Sequence, residues 1–171
     1  MTTLIVYETM YGRTRDVAQS VALGCESGGA VRTVEVSELV EGESGGALPG
    51  AVTLLVVGGP THAFSMTRPN TRRDAARYGT PISRTGVREW LETLTLPAGL
   101  PVAAFGTKLD SPLSGSAARA IGQRLRKLGG RLVVPTKDFY VRGTTPVLLA
   151  GELDAARAWG AALVAQVAPG R

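Results

Sequence analysis

The sequence predicts an α/β protein, a three-layer sandwich in which helices cover both faces of a five-stranded, mostly parallel sheet. Five short runs have the apolar or alternating composition of β-strands, and segments with helical spacing separate them. Parallel neighbours require such crossover connections, which are right-handed. The 171 residues, of which 44% are hydrophobic, suffice for a packed core. We therefore expect one domain over residues 1–171.

The first strand, helix and second strand follow in order from the N-terminus. Residues 3–8 (TLIVYE) form a β-branched and aromatic run that is typical of a strand buried on both faces. A helical pattern begins at Thr14, and the pair Gly28–Gly29 ends it. Residues 31–36 (VRTVEV) alternate like a second strand, and a glycine-rich loop follows as far as Gly50.

The third strand precedes a long irregular stretch. Residues 52–58 (VTLLVVG) are the most apolar run in the chain and predict a buried strand. Residues 59–83 show little periodicity and many turn-forming residues, so we expect a loop there. Loops this long in a compact domain are usually functional or disordered. Residues 84–94 have the spacing of a helix.

The last third of the chain supplies two strands and two helices. Residues 101–106 (PVAAFG) predict the fourth strand, and residues 116–128 predict a basic amphipathic helix. Residues 131–141 predict the fifth strand, interrupted near Pro135 because proline cannot donate to a ladder. Residues 152–167 keep helical spacing throughout.

Composition excludes several classes of protein. The longest apolar stretches fall short of the ~18–20 residues that a membrane span needs, and the N-terminus lacks the basic region of a signal peptide. One cysteine, Cys25, excludes an internal disulfide, and with His62 as the single histidine no structural zinc set can be assembled. We expect Cys25 to be a buried small apolar side chain and the protein to be cytoplasmic.

Charge is distributed unevenly along the chain. The formal net charge is +5, but residues 1–60 hold three arginines against seven acidic residues, whereas residues 61–142 hold fourteen lysines and arginines against five. Clustered arginine attracts phosphate groups and acidic partners, and it also occurs simply as solvated helix surface. Both interpretations stay open.

The loop after the first strand carries the most specific chemistry. In open α/β sheets ligands bind beyond the carboxyl ends of the strands. Residues 8–14 (ETMYGRT) bring three hydroxyl side chains, one glycine and a helix N-terminus together, which is what a phosphate monoester requires. The chain has neither G-x-x-x-x-G-K-[ST] nor G-x-G-x-x-G after this strand. The alternative is an ordinary turn in which Thr14 caps the helix.

Residues 5–14 (IVYETMYGRT), followed by Ala18 and Val21, resemble the FMN phosphate-binding signature of the flavodoxin family. Residues 57–64 (VGGPTHAF) and 104–108 (AFGTK) resemble the two further flavin-contacting loops of that family. The resemblance implies strand order 2-1-3-4-5 and non-covalent FMN at the switch point. The implied phosphate contacts are Thr9, Tyr11, Gly12 and Thr14, with amides from Met10 and Arg13. The implied ring and ribityl contacts are Pro60, Thr61, His62, Ala63, Phe64, Phe105, Gly106, Thr107 and Lys108.

The chain also departs from that family. Flavodoxins are acidic and usually stack the ring between a tryptophan and a tyrosine, whereas this chain is basic, and Trp90 and Trp159 lie on predicted helices. We expect both tryptophans to be core residues. His62 is either a flavin-loop residue able to deliver a proton or a residue that anchors the backbone.

Three functions are consistent with the sequence. The favoured one is an electron carrier between a reductase and an acceptor, which docks an acidic redox partner through the arginine-rich residues 61–88. The second is an FMN-dependent NAD(P)H oxidoreductase acting on a quinone or similar small acceptor. The third is nucleic-acid binding through residues 124–131 (RLRKLGGR), and it is disfavoured because no aromatic residues are interleaved there.

Overall fold

The computed structural model describes residues 1–167 and alternates strands with helices along the chain. The last four positions of the predicted domain lie outside the described residues. The strands are β1 (Thr2–Tyr7), β2 (Ala30–Glu35), β3 (Leu54–His62), β4 (Ser65–Met66), β5 (Pro101–Leu109), β6 (Arg131–Leu132), β7 (Lys137–Arg142) and β8 (Val147–Leu148). The helices are α1 (Arg13–Cys25), α2 (Val36–Glu41), α3 (Pro69–Ala75), α4 (Val87–Thr93), α5 (Ala117–Lys127) and α6 (Glu152–Val167), with a 3₁₀ turn at Glu26–Gly28.

The sheet has the order β2-β1-β3-β5-β7-β8, and its five long strands are parallel to their neighbours. When the two-residue strands are set aside, this order is the predicted 2-1-3-4-5. The predicted α/β sandwich is therefore confirmed, with an antiparallel edge strand β8 in addition. The expected interruption of the fifth strand is also present, because β6 and β7 both pair with β5 and Pro135 separates them.

The two faces of the sheet hold separate apolar cores. Helices α1 and α6 cover one face, where Phe105, Phe139 and Trp159 meet edge to face with ring centroids 6.2 Å apart. Helices α4 and α5 cover the other face, where Trp90 is buried and its indole N–H donates to the Gly46 carbonyl at 2.8 Å. Both tryptophans pack in the cores, as expected.

Cys25 is fully buried in the α1–α6 core. Burial raises the pKa of its thiol to about 11, so it stays protonated. This confirms the expectation of a small apolar side chain at that position.

The sequence-based bounds are wrong in two segments. The loop predicted over 59–83 contains the end of β3, the strand β4 and helix α3, and the glycine-rich loop before Gly50 contains helix α2. Turn-forming residues hid the end of β3. Gly58 is required inside the strand because a Cβ there would lie 2.0 Å from the Phe105 ring. None of the helices within residues 1–167 is long and apolar enough to cross a membrane.

Candidate cofactor-binding site

A cleft opens at the carboxyl end of the parallel strands, between the loop after β1 and the ends of β3, β5 and β7. Its volume is about 490 Å³, within the ~300–1,000 Å³ typical of small-molecule sites. The lining residues are Thr9, Met10, Tyr11, Arg13, Thr14, Pro60, Thr61, His62, Ala63, Thr71, Asp74, Ala75, Tyr78, Thr107, Lys108, Leu109, Val141, Gly143, Thr144 and Pro146. The cleft therefore lies where the fold predicts a ligand.

The loop after β1 presents free backbone donors. Gly12 adopts a left-handed conformation (φ +93°), and helix α1 begins at the next residue. Within residues 1–167, the backbone N–H groups of Met10, Tyr11, Arg13 and Thr14 donate to no protein acceptor. Several unpaired amides at a helix N-terminus form an anion-binding concavity. The donor set therefore fits a phosphate monoester.

Two threonine hydroxyls complete this loop. Thr9 Oγ1 accepts the Gly12 N–H at 3.0 Å, which fixes the turn, and Thr14 Oγ1 lies 2.7 Å from Thr107 Oγ1. Both threonines are buried. The alternative that Thr14 merely caps the helix is wrong, because Gly12 holds the cap position and no side chain bonds there.

Residues 76–86 pass across the outside of the loop and hold it in place. The Ile82 N–H donates to the Met10 carbonyl and the Ser83 N–H to the Thr9 carbonyl, both at 2.9 Å. In return, the Thr9 N–H donates to Ser83 Oγ at 2.8 Å, and Ser83 Oγ bonds to the buried Glu35 carboxylate at 2.5 Å. The loop after β1 is thus held in a fixed shape by the protein itself.

A tight hairpin forms the opposite wall of the cleft. β3 and β4 are joined by Ala63 and Phe64, which adopt positive φ values of 46° and 72°. This conformation suits a two-residue hairpin turn but is unfavourable for residues with a side chain. The tip is held by α5, because the Ser116 N–H donates to the Phe64 carbonyl at 3.2 Å and the Ala117 N–H to Thr61 Oγ1 at 3.0 Å.

A buried carboxyl group lies behind this wall. Glu8 is 1% exposed; one of its oxygens accepts the Thr67 hydroxyl, and the other accepts the Val87 N–H at 2.9 Å. The Arg72 guanidinium is 4.0 Å away and binds Glu89 at 2.9 Å. Burial raises the pKa of Glu8 to about 7, although both hydrogen bonds and the charge of Arg72 act to lower it.

His62 lines the cleft at the end of β3. Burial lowers the pKa of its imidazole below the ordinary value; a hydrogen bond with the Thr71 backbone opposes this, and the charge of Arg72 adds to it. The histidine is therefore neutral at pH 7 and able to accept or donate one hydrogen bond at each ring nitrogen.

The structure gathers most of the predicted site residues around one cleft. Those that line it are Thr9, Met10, Tyr11, Arg13, Thr14, Pro60, Thr61, His62, Ala63, Thr107 and Lys108. Gly12 lies within the same loop. Phe64, Phe105 and Gly106 are not among the lining residues: Phe64 is 70% exposed at the hairpin tip, and the Phe105 ring is buried in the α1–α6 core. Pro60 to His62 and Phe105 to Lys108 belong to strands rather than to loops.

Several lining residues escaped the sequence analysis. Thr71, Asp74 and Ala75 reach the cleft because α3 packs there, and the Tyr11 hydroxyl donates to the Ala75 carbonyl at 2.5 Å. Pro69 at the first position of α3 is a helix-start signal that could have revealed this element. Gly143, Thr144 and Pro146 come from the turn between β7 and β8, which carries no comparable signal.

The arginine-rich segment is less available for docking than its charge suggests. Arg84 pairs with Glu41, Arg72 with Glu89, and Arg77 with Asp74. The Arg88 side chain donates to the carbonyls of Thr67 and Met66 at 3.0 and 2.9 Å. Within residues 1–167, Arg68 and Arg73 are the exposed arginines of this segment that make no ion pair.

Comparison with solved structures places the fold. The chain resembles a flavodoxin from the domain Archaea (20% identity, 98% of this chain and 99% of that one, TM-score 0.64) and oxidised Flavodoxin 1 from Bacillus cereus (14% identity, 96% and 98%, TM-score 0.70). It also resembles the flavodoxin, WrbA-like protein from Agrobacterium tumefaciens (17% identity, 97% and 96%, TM-score 0.61). No family model and no curated protein sequence matches the chain.

The fold and the cleft define a doubly wound α/β protein with a ligand site at its topological switch point. The structural neighbours make this assignment more specific, since their coverage extends over nearly the whole of both chains. The protein has a flavodoxin-like fold, as its first loop predicts.

Proposed function

We propose that this protein binds FMN in the cleft and carries electrons between a reductase and an acceptor. The observation that supports this most directly is the set of unpaired backbone donors around Gly12. Bound FMN accepts and releases one or two electrons. The fold alone does not establish this function, because many unrelated activities share the same fold.

The loop residues bind the phosphate. The N–H groups of Met10, Tyr11, Arg13 and Thr14 donate to its oxygens, and the hydroxyls of Thr9 and Thr14 turn toward them. Because residues 76–86 already fix the loop, little conformational entropy is lost on binding.

The hairpin and the ends of β5 and β7 bind the remainder of the ligand. Pro60, Thr61 and His62 supply one wall, and Thr107 and Lys108 supply the floor. The neutral imidazole of His62 can donate or accept a hydrogen bond at the ring without adding charge. Tyr78, which lines the cleft and is 73% exposed, can cover the outer face.

The partner in this proposal is an acidic redox protein. Within residues 61–88, Arg68 and Arg73 are the exposed arginines that make no ion pair in the described structure, so they are available to attract it. Attraction of this kind acts on the rate of encounter and is weakened by salt. Electron transfer to a small uncharged acceptor should not depend on salt in this way.

A second function, NAD(P)H-dependent reduction of a small acceptor such as a quinone, is favoured by the extent of the cleft. Its lining continues to Val141, Thr144 and Pro146, beyond the predicted FMN contacts. Bleaching of the bound flavin by NAD(P)H without a reductase would support this alternative. Absence of bleaching, together with reduction by a flavodoxin reductase, supports the carrier.

Mixing the protein with FMN, desalting it and recording the visible spectrum tests the proposal. We expect flavin to co-elute with the protein, and Thr14→Val to weaken FMN binding by roughly tenfold because it removes one hydroxyl and its bond to Thr107. Thr95→Val, at an exposed position far from the cleft, is the matched control. Colourless protein after desalting, with no calorimetric heat on FMN addition, would refute the proposal.

A further inference from the structure

A carboxyl group that the proposed function does not use lies directly behind the cleft. Residues alternate along β1, so Leu4, Val6 and Glu8 share the face that packs against α4 and α5. The next residue, Thr9, lines the cleft. Glu8 also lies behind Gly59, where an added Cβ would be 4.0 Å from its Oε2, and the next residue, Pro60, lines the cleft as well. These chain segments lie between the carboxyl group and the cleft.

The hydrogen bonds of Glu8 can adapt to a proton. Its Oε2 accepts a fixed donor, the Val87 N–H, but its Oε1 faces the Thr67 hydroxyl. Thr67 Oγ1 accepts from Arg72 at 2.8 Å, so its own hydrogen is free to point to an ionised carboxylate. A hydroxyl has two acceptor sites and can also accept from a protonated carboxyl. Rotation of the Thr67 hydroxyl about its C–O bond therefore lets it bond to Glu8 in both the ionised and the protonated state.

The charges around Glu8 are nearly balanced. From α3 it faces Arg72, and from α4 it faces Glu89, which shares that guanidinium. Arg88 of α4 is bound to the Thr67 and Met66 carbonyls, His62 is the titratable group at the end of β3, and α5 contributes the apolar Ile121. No single opposite charge is committed to Glu8, because Arg72 is shared.

We propose that Glu8 is a positioning residue of the cleft that takes up a proton from solvent when a negatively charged ligand binds. In the ionised state the carboxylate repels an incoming phosphate group through the wall. In the protonated state it keeps its bonds to Thr67 and Val87 and still holds the hairpin, α3 and α4 together. Protonation of Glu8 is thus coupled to the charge of the ligand in the cleft, while its hydrogen bonds keep the surrounding elements in place. This inference rests on the proposed function for the identity of the ligand.

The effect appears as a pH-dependent affinity. Over about one Debye length, ~10 Å, at an effective dielectric of ~20 and with screening, loss of a unit charge changes the affinity for an anion about fivefold. By linkage, ligand binding raises the proton affinity of Glu8 by the same factor, so the pKa of Glu8 is higher in the complex. The raised pKa of about 7 places most of this change between pH 6 and 8.

Calorimetric titration of FMN into the wild type and Glu8→Gln at pH 6 and pH 8 tests the proposal. We expect the wild type to lose about three times more affinity between these pH values than Glu8→Gln, in which the amide carries no charge; the full fivefold change extends above pH 8 because the ligand raises the Glu8 midpoint. Ionisation of the FMN phosphate and of His62 affects both proteins equally and cancels in this ratio. Glu92→Gln, which removes an exposed carboxylate from the same helix α4 without touching Glu8 or Arg72, is the control and should keep the wild-type difference.

Equal losses in the wild type and Glu8→Gln would overturn the proposal while leaving FMN binding intact. Should Glu8→Gln not fold, the Glu8 side-chain carboxyl carbon is followed by NMR in the wild type, free and with FMN, and an unchanged midpoint overturns the proposal equally. If FMN does not bind, the proposed function fails instead. The same NMR titration with inorganic phosphate then tests the response of Glu8 alone.

Discussion

The two faces of the sheet differ in how they are packed. On one face α1 and α6 approach so closely that backbone touches backbone, with Gly24 against the Arg157 carbonyl and Gly160 against the Val21 carbonyl. On the other face, at its end beside the cleft, a carboxyl group is buried among Thr67, Arg72 and the start of α4. The first arrangement is sensitive to added side-chain volume, and the second is sensitive to the ionisation of Glu8.

This difference separates the stability of the fold from the behaviour of the site. An interface whose closest contacts join backbone to backbone has little reason to respond to pH, but it cannot absorb an extra atom. A buried carboxyl group costs free energy when ionised, so its surroundings respond to pH even though they tolerate an isosteric change. Substitutions on each face should therefore show different signatures.

The largest effect is expected at the α1–α6 contact. A Cβ at Gly24 would lie 2.0 Å from the Arg157 carbonyl oxygen, and a Cβ at Gly160 would lie 2.2 Å from the Val21 carbonyl oxygen. Because the obstacle is backbone, Gly24→Ala should lower the free energy of unfolding by on the order of 4 kcal/mol, above the usual ~1–3 kcal/mol of overpacking. Urea denaturation at several pH values measures the loss, which should be independent of pH.

Gly50→Ala is the control for this change, because a Cβ there meets nothing within 4 Å. It should leave the free energy of unfolding nearly unchanged. A small loss in Gly24→Ala, similar to that of the control, would mean that the two helices can separate, and the contrast between the faces would disappear.

The next effect concerns Glu8 and the pH dependence of stability. The folded-state pKa of about 7 lies above the ordinary 4.5, so the native state binds the proton more tightly than the unfolded chain does. Stability contributed by this proton is complete below pH 4.5 and is lost as the pH rises through 7, a change of roughly 3 kcal/mol. His62, whose pKa is lowered, acts in the opposite direction below pH 6.5.

Denaturation of the wild type and Glu8→Gln between pH 5 and 8 isolates the carboxyl contribution, since His62 is common to both. The difference in the free energy of unfolding, wild type minus variant, should fall as the pH rises. A difference that stays constant would show that the carboxyl group does not titrate in this range and would remove the distinction between the faces.

Local patterns made most of the fold predictable from the sequence. Helix α6 has the predicted bounds, 152–167, because helical spacing persists through its length. The cluster of unpaired donors after β1 was also predictable, because the residues that supply it lie within six consecutive positions, 9–14. In both cases the residues that interact are neighbours in the chain.

The wall of the cleft could not be predicted, because its contacts join distant residues. Ser83 bonds to Thr9 across 74 positions, and Thr67 bonds to Glu8 across 59. A single sequence gives no signal for such pairs. It showed instead a run of arginines suited to docking, most of which bind acidic groups or carbonyls of the chain itself.

The smallest effect tests strain at the hairpin and has the opposite sign to Gly24→Ala. Phe64 has a φ of 72° and is 70% exposed, so Phe64→Gly relieves an unfavourable conformation while giving up little buried surface. The relief of ~1–2 kcal/mol exceeds the added entropy of the unfolded chain, so the variant should be more stable by about 0.5–1 kcal/mol. Phe64→Leu, which keeps the Cβ, should show no gain in urea denaturation. Equal stability of Phe64→Gly and Phe64→Leu would mean that the tip is unstrained. Higher stability of Phe64→Gly but not of Phe64→Leu would show that the backbone at the hairpin tip is strained, in contrast to the α1–α6 contact, where an added Cβ is not tolerated.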